Sequence, residues 1–341
     1  MRIVRLLAMV VGAVVVLFVA VGVGTYLWAS NATTKKLDLV REVHRVEFPI
    51  PFPLSDDELA ALRAERSAGA RRGVDPLAGL DLDSIASARA IARGEHLTKT
   101  FYACTECHGD DFGGGVMIDD PAMGQLLAPN LTLGEGSRTA QYTSADWDRI
   151  VRHGVKPDGK GSPMPADDYY LMSDRELSDV VAYIRSLPPV NKTAPPVAFG
   201  PVGKVLVATD MFKLAADKHP TNHVIDHVPL PPPVAPDATY GKHLAQTCSG
   251  CHGQNLAGGP IIGGPPHWPP AANLTPTGLG AWTYEDLVKA MREGVSKNGA
   301  ALREPMSLMQ KYGQNMTDVE LQALWAYLQT LPPTATPGAG M

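Results

Sequence analysis

Cys104-Thr105-Glu106-Cys107-His108-Gly109 and Cys248-Ser249-Gly250-Cys251-His252-Gly253 hold all four cysteines of this 341-residue chain. The same signals surround both stretches, in the same order. A Gly-x-His-Leu run precedes each (Gly94 to Leu97; Gly241 to Leu244). Asn-Leu-Thr follows (Asn130 to Thr132; Asn273 to Thr275), then a helix-like segment ending in Gly-Val (Gly154-Val155; Gly294-Val295). Pro-Met is next (Pro163-Met164; Pro305-Met306). A last helix-like segment closes in Ala-Tyr and Leu-Pro-Pro (Ala182 to Pro189; Ala326 to Pro333). Shared order over this length means two copies of one structural unit, at 92–189 and 239–333.

Local chemistry predicts that each unit is all-α. Ser173 to Glu176 and Thr317 to Glu320 are capping boxes, in which a hydroxyl and a carboxylate satisfy the orphan N–H groups of a first helical turn. Apolar residues follow at helical spacing: Leu177, Val180, Val181, Ile184 and Leu187 in one, Leu321, Leu324, Trp325, Leu328 and Leu331 in the other. Paired prolines stop both helices. Thr143 to Asp146 and Thr283 to Asp286 open middle helices that stop at Gly154 and Gly294. Strand-like alternation is scarce.

Cys-x-x-Cys-His is the haem-attachment pattern. Two thiols three residues apart reach the two vinyl groups at one porphyrin edge, and the adjacent His supplies an axial nitrogen to the iron. The expected cofactors are therefore two covalently bound haem c groups, on Cys104, Cys107 and His108, and on Cys248, Cys251 and His252. A four-Cys zinc site or a thioredoxin-like redox pair leaves the His after each motif and the surrounding repeat unexplained. A low-spin haem needs a sixth ligand. Met164 lies 56 residues after His108, and Met306 lies 54 residues after His252. A thioether opposite His suits haem iron and raises its potential. Met117, Met123, Met172, Met291, Met309 and Met316 compete, but only Met164 and Met306 occupy equivalent places. The expected iron ligands are thus His108, Met164, His252 and Met306.

The remaining chain reads as follows. Leu6 to about Ala29 is an apolar run that, at ~1.5 Å per residue, crosses a ~30 Å hydrocarbon layer as a helix. It is longer than a signal-peptide core, though Ser30-Asn31-Ala32 has the look of a cleavage site. Arg2 and Arg5 before it put the amino terminus in the cytoplasm and the body outside. The expected organisation is an anchor at 1–30, a polar spacer at 31–83 with a short helix from Ser55 to about Arg72, and a first domain at 84–189. A stiff Pro-rich linker at 190–238 with a helix-compatible patch near Val202 to Ala216 leads to a second domain at 239–333 and a tail at 334–341. His153 has no counterpart, since Glu293 takes its place, and reads as a surface helix residue. His219, His223 and His227 sit four apart in the linker, flanked by Pro220 and Pro229, and read as solvated rather than as a metal face.

Composition agrees with this reading. Lys+Arg 30 against Asp+Glu 35 gives no basic stripe, so nucleic acid is not an expected partner. Low aromatic content (6%) with 33 Gly and 30 Pro suits a loop-rich fold that takes part of its core from a porphyrin. No catalytic triad, phosphate loop or acid/base pair lies near the motifs.

Each unit resembles a class I cytochrome c domain, and the whole resembles membrane-bound dihaem cytochromes c. The resemblance implies three helices around each haem, the first crossing the last at Gly94 and Tyr183, and at Gly241 and Tyr327. Gly94 precedes Cys104 by ten residues while Gly241 precedes Cys248 by seven, so extra residues near Phe101-Tyr102 have to bulge or lengthen the first helix. The resemblance further implies an electron carrier, not an enzyme, in the cytoplasmic membrane with its domains on the periplasmic side. Its expected partners are a quinol-oxidising complex or dehydrogenase and an oxidase or soluble cytochrome. Two alternatives are a dihaem peroxidase, which needs one open haem, and the dedicated cytochrome subunit of a periplasmic dehydrogenase complex. Asn130-Leu-Thr and Asn273-Leu-Thr also match a glycosylation sequon, but their repeated place marks a haem-side loop.

Overall fold

Four capping boxes, at Thr143/Asp146, Ser173/Glu176, Thr283/Asp286 and Thr317/Glu320, fix the helix starts expected from the sequence. Gly154 and Gly294 end the two middle helices at φ 65° and 67°, a left-handed turn that glycine adopts without strain. The structure, a computed structural model, describes residues 2–67, 74–218, 227–261, 264 and 267–338.

The helices run in order α1 (Arg2–Asp38), α2 (Asp56–Ser67), α3 (Leu82–Thr100), α4 (Cys104–His108), α5 (Ser144–His153), α6 (Asp174–Ser186), α7 (Pro201–Ala208) and α8 (Ala215–Lys218). The second repeat adds α9 (Ala238–Leu244), α10 (Ser249–His252), α11 (Pro276–Leu279), α12 (Tyr284–Glu293), α13 (Gln310–Gly313) and α14 (Asp318–Leu328). Short 3-10 turns cover Ala166–Asp168 and Met306–Met309. The all-α class holds, with one departure. β1 (Val116–Asp120), β2 (Gly124–Leu127) and β3 (Ala198–Phe199) form a small antiparallel sheet beside the first domain. Strands of five, four and two residues are too short to show alternation, which is why the sequence hides them.

Each domain is built on the expected crossing. A Cβ placed on Gly94 would lie 2.0 Å from the Asp179 carbonyl oxygen and 2.8 Å from Tyr183 Cβ. One placed on Gly241 would lie 1.8 Å from the Ala323 carbonyl oxygen and 2.9 Å from Tyr327 Cβ. Only glycine lets α3 meet α6, and α9 meet α14, at this distance. Ala86, Ala90, Gly94 and Thr98 repeat every four residues and form the small, buried stripe of α3. The extra residues of the first domain do not disturb the crossing. They fall in a break after Thr100, where Ala103 turns back at φ 44° to start α4. In the second domain the chain passes from α9 through one 3-10 turn straight into α10.

Residues 31–83 do more than hold the body off a membrane. Phe48 is buried in the first domain's core with Val46, Ile50 and Phe52 packed beside it, and Ser178 Oγ donates to the Pro49 carbonyl oxygen at 2.7 Å. Glu58 of α2 accepts from Arg93 of α3 and Arg175 of α6. Burial alone pushes its carboxyl up, but the Ser55 N–H and the two guanidinium groups outweigh this and hold it down at about 2. α2 ends at Ser67; the remaining stretch toward Arg72 lies outside the described residues.

α1 runs on past the apolar segment into the body. It is the one helix among the described residues long and apolar enough to cross a membrane, and its apolar stretch is unburied. Its last turns pack on α7: Thr33 Oγ1 donates to the Lys204 carbonyl oxygen, Lys36 Nζ donates to that of Val207, and the Lys204 ammonium sits 4.6 Å from the Tyr26 ring centre. The expected helical patch at Val202 to Ala216 is thus two helices, α7 and α8. The linker is not a free extended rod either. The Asp174 and Arg175 N–H groups donate to the Val228 and Pro229 carbonyl oxygens, which lays the linker across the start of α6.

Candidate haem sites

The thiols of both motifs are chemically quiet. Burial pushes Cys104 up to about 12 and Cys248 up to about 11, and raises Cys107 and Cys251 as well. No disulfide joins them.

The histidines are tethered in the same way in both domains. His108 Nδ1 lies 2.9 Å from the Pro129 carbonyl oxygen, and His252 Nδ1 lies 2.7 Å from that of Ala272. A carbonyl can only accept, so Nδ1 carries the proton and donates. Nε2 is then left with its lone pair for iron. Burial lowers both imidazole pKa values, which keeps them neutral and able to ligate.

The Asn-Leu-Thr motif positions those carbonyls. Asn130 and Thr132 are fully buried. Asn130 Oδ1 accepts from the Thr132 N–H and hydroxyl, and its Nδ2 donates to the Val190 carbonyl oxygen at 2.5 Å. Asn273 repeats this with Thr275 and donates to the Thr334 carbonyl oxygen at 2.8 Å. Each motif locks the loop just after the carbonyl that orients the histidine. A buried Asn so engaged is no glycan acceptor, so the haem-side reading stands.

Met164 lies between α5 and α6, packed on the first core together with Cys104. Met306 opens the 3-10 turn between α12 and α13. Met172 and Met316 are core residues, 2% and 5% exposed, and Met117 faces outward from β1.

The cytochrome c family profile matches residues 91–188 and 238–332, together more than half of the chain. The chain belongs to the cytochrome c family. It carries two haem c groups. It is 25% identical over 271 residues to the fructose dehydrogenase cytochrome subunit of Gluconobacter japonicus, covering 73% of this chain and 54% of that protein. It is 26% identical over 261 residues to the alcohol dehydrogenase (quinone) cytochrome c subunit of Gluconacetobacter polyoxogenes, covering 68% and 53%. It is 23% identical over 271 residues to the diheme cytochrome c-type protein of Cereibacter sphaeroides, covering 71% and 86%. The cytochrome thus spans about half the length of the first two relatives.

The two domains of the cytochrome clasp each other through the repeated Gly-x-His-Leu histidines. His96 Nε2 lies 2.7 Å from Glu320 Oε1, and His243 Nε2 lies 2.7 Å from Glu176 Oε1. Each glutamate is the capping-box carboxylate of the other domain's last helix, so the contact is reciprocal, like an isologous dimer within one chain. The haem-bearing helices join in. The Tyr312 hydroxyl donates to Glu106 Oε1 at 2.6 Å, and Lys311 pairs with the same carboxylate. Gly250, where the first motif has Glu106, lies against Asp168, whose Oδ1 would be 2.5 Å from a Cβ there. Burial, then the neighbouring Asp167, pushes the Asp168 carboxyl up to about 7 and reduces the negative charge facing the second haem site.

This clasp is acid-sensitive. Burial favours the neutral form of Glu176 and Glu320, but the hydrogen bonds from His243 and Ser173, and from His96 and Thr317, outweigh it and lower both carboxyls. A depressed carboxyl stabilises fully above its unfolded value, about 4.3, and loses that contribution as pH falls through the lower folded value. Below about pH 4 the domains should part, read as an increased radius in small-angle scattering with both haems retained. Glu176→Gln with Glu320→Gln should already be loosened at pH 7, each change costing ~1–3 kcal/mol. An unchanged acid transition in that double variant refutes the clasp.

Structure corrects two expectations about histidines. His153 is fully buried, not on the surface, and His227 is 9% exposed, not solvated. The ends of the spacer and the linker cover the last turn of α5, which a single-domain reading of the repeat leaves open. His219 and His223 lie outside the described residues.

Proposed function

We propose that the chain is a membrane-anchored dihaem relay that takes electrons from a dehydrogenase or quinol-oxidising partner on the periplasmic side and passes them to an oxidase or soluble carrier. The observation that carries this is the matched pair of Nδ1-tethered histidines, each in a Cys-x-x-Cys-His helix that contacts the other domain. Haem c at these positions supplies one-electron iron chemistry. Cys104, Cys107, Cys248 and Cys251 would hold the haem edges, His108 and His252 would each supply a nitrogen to iron, and Met164 and Met306 would each supply a sulfur. Anchoring rests on α1, and the orientation rests on Arg2 and Arg5 preceding its apolar run. Relatives named as cytochrome subunits of fructose and alcohol dehydrogenases favour a dehydrogenase as the electron donor.

Haem counting and co-purification test the two halves of this reading. Pyridine haemochrome assay should return two haems per chain, and haem staining should survive denaturing electrophoresis. His252→Ala should keep the first haem, since each domain closes its own core. A count near one refutes two sites. Detergent extracts should bring down a dehydrogenase with the untagged chain, and reduction of both haems by that enzyme's substrate should follow. Failure of substrate to reduce them removes the dehydrogenase as donor.

A further inference from the structure

Three imidazoles and one carboxylate meet inside the protein away from both haem motifs. His44 comes from the spacer, Asp148 and His153 from α5, and His227 from the linker. His153 Nε2 and His227 Nε2 lie 3.1 Å apart. Asp148 Oδ1 lies 3.7 Å from His153 Nε2 and 3.8 Å from His227 Nε2, and Asp148 Oδ2 lies 3.8 Å from His44 Nε2. One donor atom from each of the four falls within 4.8 Å of every other. We propose that these four side chains form a structural site for a divalent first-row metal ion, with zinc the fitting one.

Geometry and chemistry agree on this. Zinc takes four ligands in a tetrahedron at roughly 2.0–2.2 Å, which sets neighbouring ligand atoms roughly 3.3–3.5 Å apart. The 3.1 Å between His153 and His227 and the 3.7–3.8 Å from Asp148 to the imidazoles bracket that value, and no pair of the four donor atoms is more than 4.8 Å apart. Three imidazoles with one carboxylate suit zinc, and a site closed by four protein ligands leaves no place for substrate. The second shell is also present. Arg152, fully buried, holds Asp148 Oδ1 at 2.6 Å and is itself held by Asp174 Oδ1 at 2.8 Å and the Met172 carbonyl oxygen at 3.1 Å. Asp148 Oδ2, 3.8 Å from His44 Nε2, is buried and without a hydrogen-bond partner among the described residues. Such an orphan oxygen is costly unless something cationic meets it. Tyr170 packs edge-on against His153 and His227 and helps to close the pocket.

The three segments are far apart in sequence, so a metal here staples the anchor-proximal spacer and the linker onto the first domain. Its binding free energy becomes stability of that arrangement. The cluster belongs to the first domain alone, since Glu293 stands in the second domain where the first has His153.

The test uses untagged full-length holoprotein in detergent, stripped with a chelator and titrated with zinc alone. Calorimetry and metal analysis should give one zinc per chain beside two irons, and zinc K-edge absorption should report nitrogen and oxygen ligands without sulfur. His44→Gln and His227→Gln should each weaken zinc binding by at least roughly 100-fold, more than typical outer-shell losses. Both haem spectra should stay unchanged in these variants. A wild-type protein that takes up no zinc overturns the proposal. So does binding that survives both variants but is lost on His219→Gln or His223→Gln. If His227→Gln fails to fold, His44→Gln, at the edge of the cluster, decides by the same reading.

Discussion

Gly241→Ala should leave the second domain unable to close around its haem. The new methyl group would sit 1.8 Å from the Ala323 carbonyl oxygen, a backbone atom that no rotamer change can move aside. α9 and α14 must then separate by more than an ångström along their whole contact, which uncovers Leu321, Leu324 and Leu328. Overpacking in a core ordinarily costs ~1–3 kcal/mol, and a backbone clash lies at or beyond the top of that range. Haem content should drop to about one per chain while the first domain keeps its spectrum. Gly94→Ala should do the converse, since its methyl would meet the Asp179 carbonyl at 2.0 Å and Tyr183 Cβ at 2.8 Å. Two haems and a native melting temperature in either variant would show that the helices have room to adjust.

Met164→Ala and Met306→Ala should have the largest effects on electron transfer. Thioether sulfur favours ferrous iron and so holds the potential high. Loss of the sulfur should lower the potential of the affected haem by on the order of 0.1–0.3 V, within the roughly 0.8 V that axial ligands command. It should also remove part of the weak far-red band of a Met–Fe(III) bond and open that iron to carbon monoxide. The other haem should keep its own values, because its core is a separate cluster. Stability should fall less than on loss of a haem, since the thioethers and the tethered histidine remain. A Met variant with an unchanged spectrum would point to a second histidine on that iron and revive a peroxidase-like arrangement. His153 is a poor candidate for that role, because its Nε2 already faces His227.

Local spacing made much of this protein legible. Cys-x-x-Cys-His, the capping boxes and the terminating glycines each act within one or two turns of chain, so their chemistry survives without knowledge of the fold. The glycine–tyrosine crossing was readable through the resemblance and because the repeat writes it twice. The Asn-Leu-Thr motif was located correctly, but its work, fixing the carbonyl that orients a histidine, needed the Val190 and Thr334 partners some 60 residues away. The small sheet stayed hidden because strands of five and four residues are too short to carry a period.

By itself, then, the sequence determined the two haem-binding helical domains and the long apolar amino-terminal helix, since both rest on short-range periodicity and on bond-forming residues at fixed spacing. Tertiary structure alone decided how the pieces join. His96 meets a glutamate 224 positions away, and His243 meets one 67 positions away in the opposite direction. His44, Asp148, His153 and His227 converge from three segments that share no pattern. Contacts at such separations are set by how whole helices pack, and no window of sequence records the direction in which a packed helix turns its histidine.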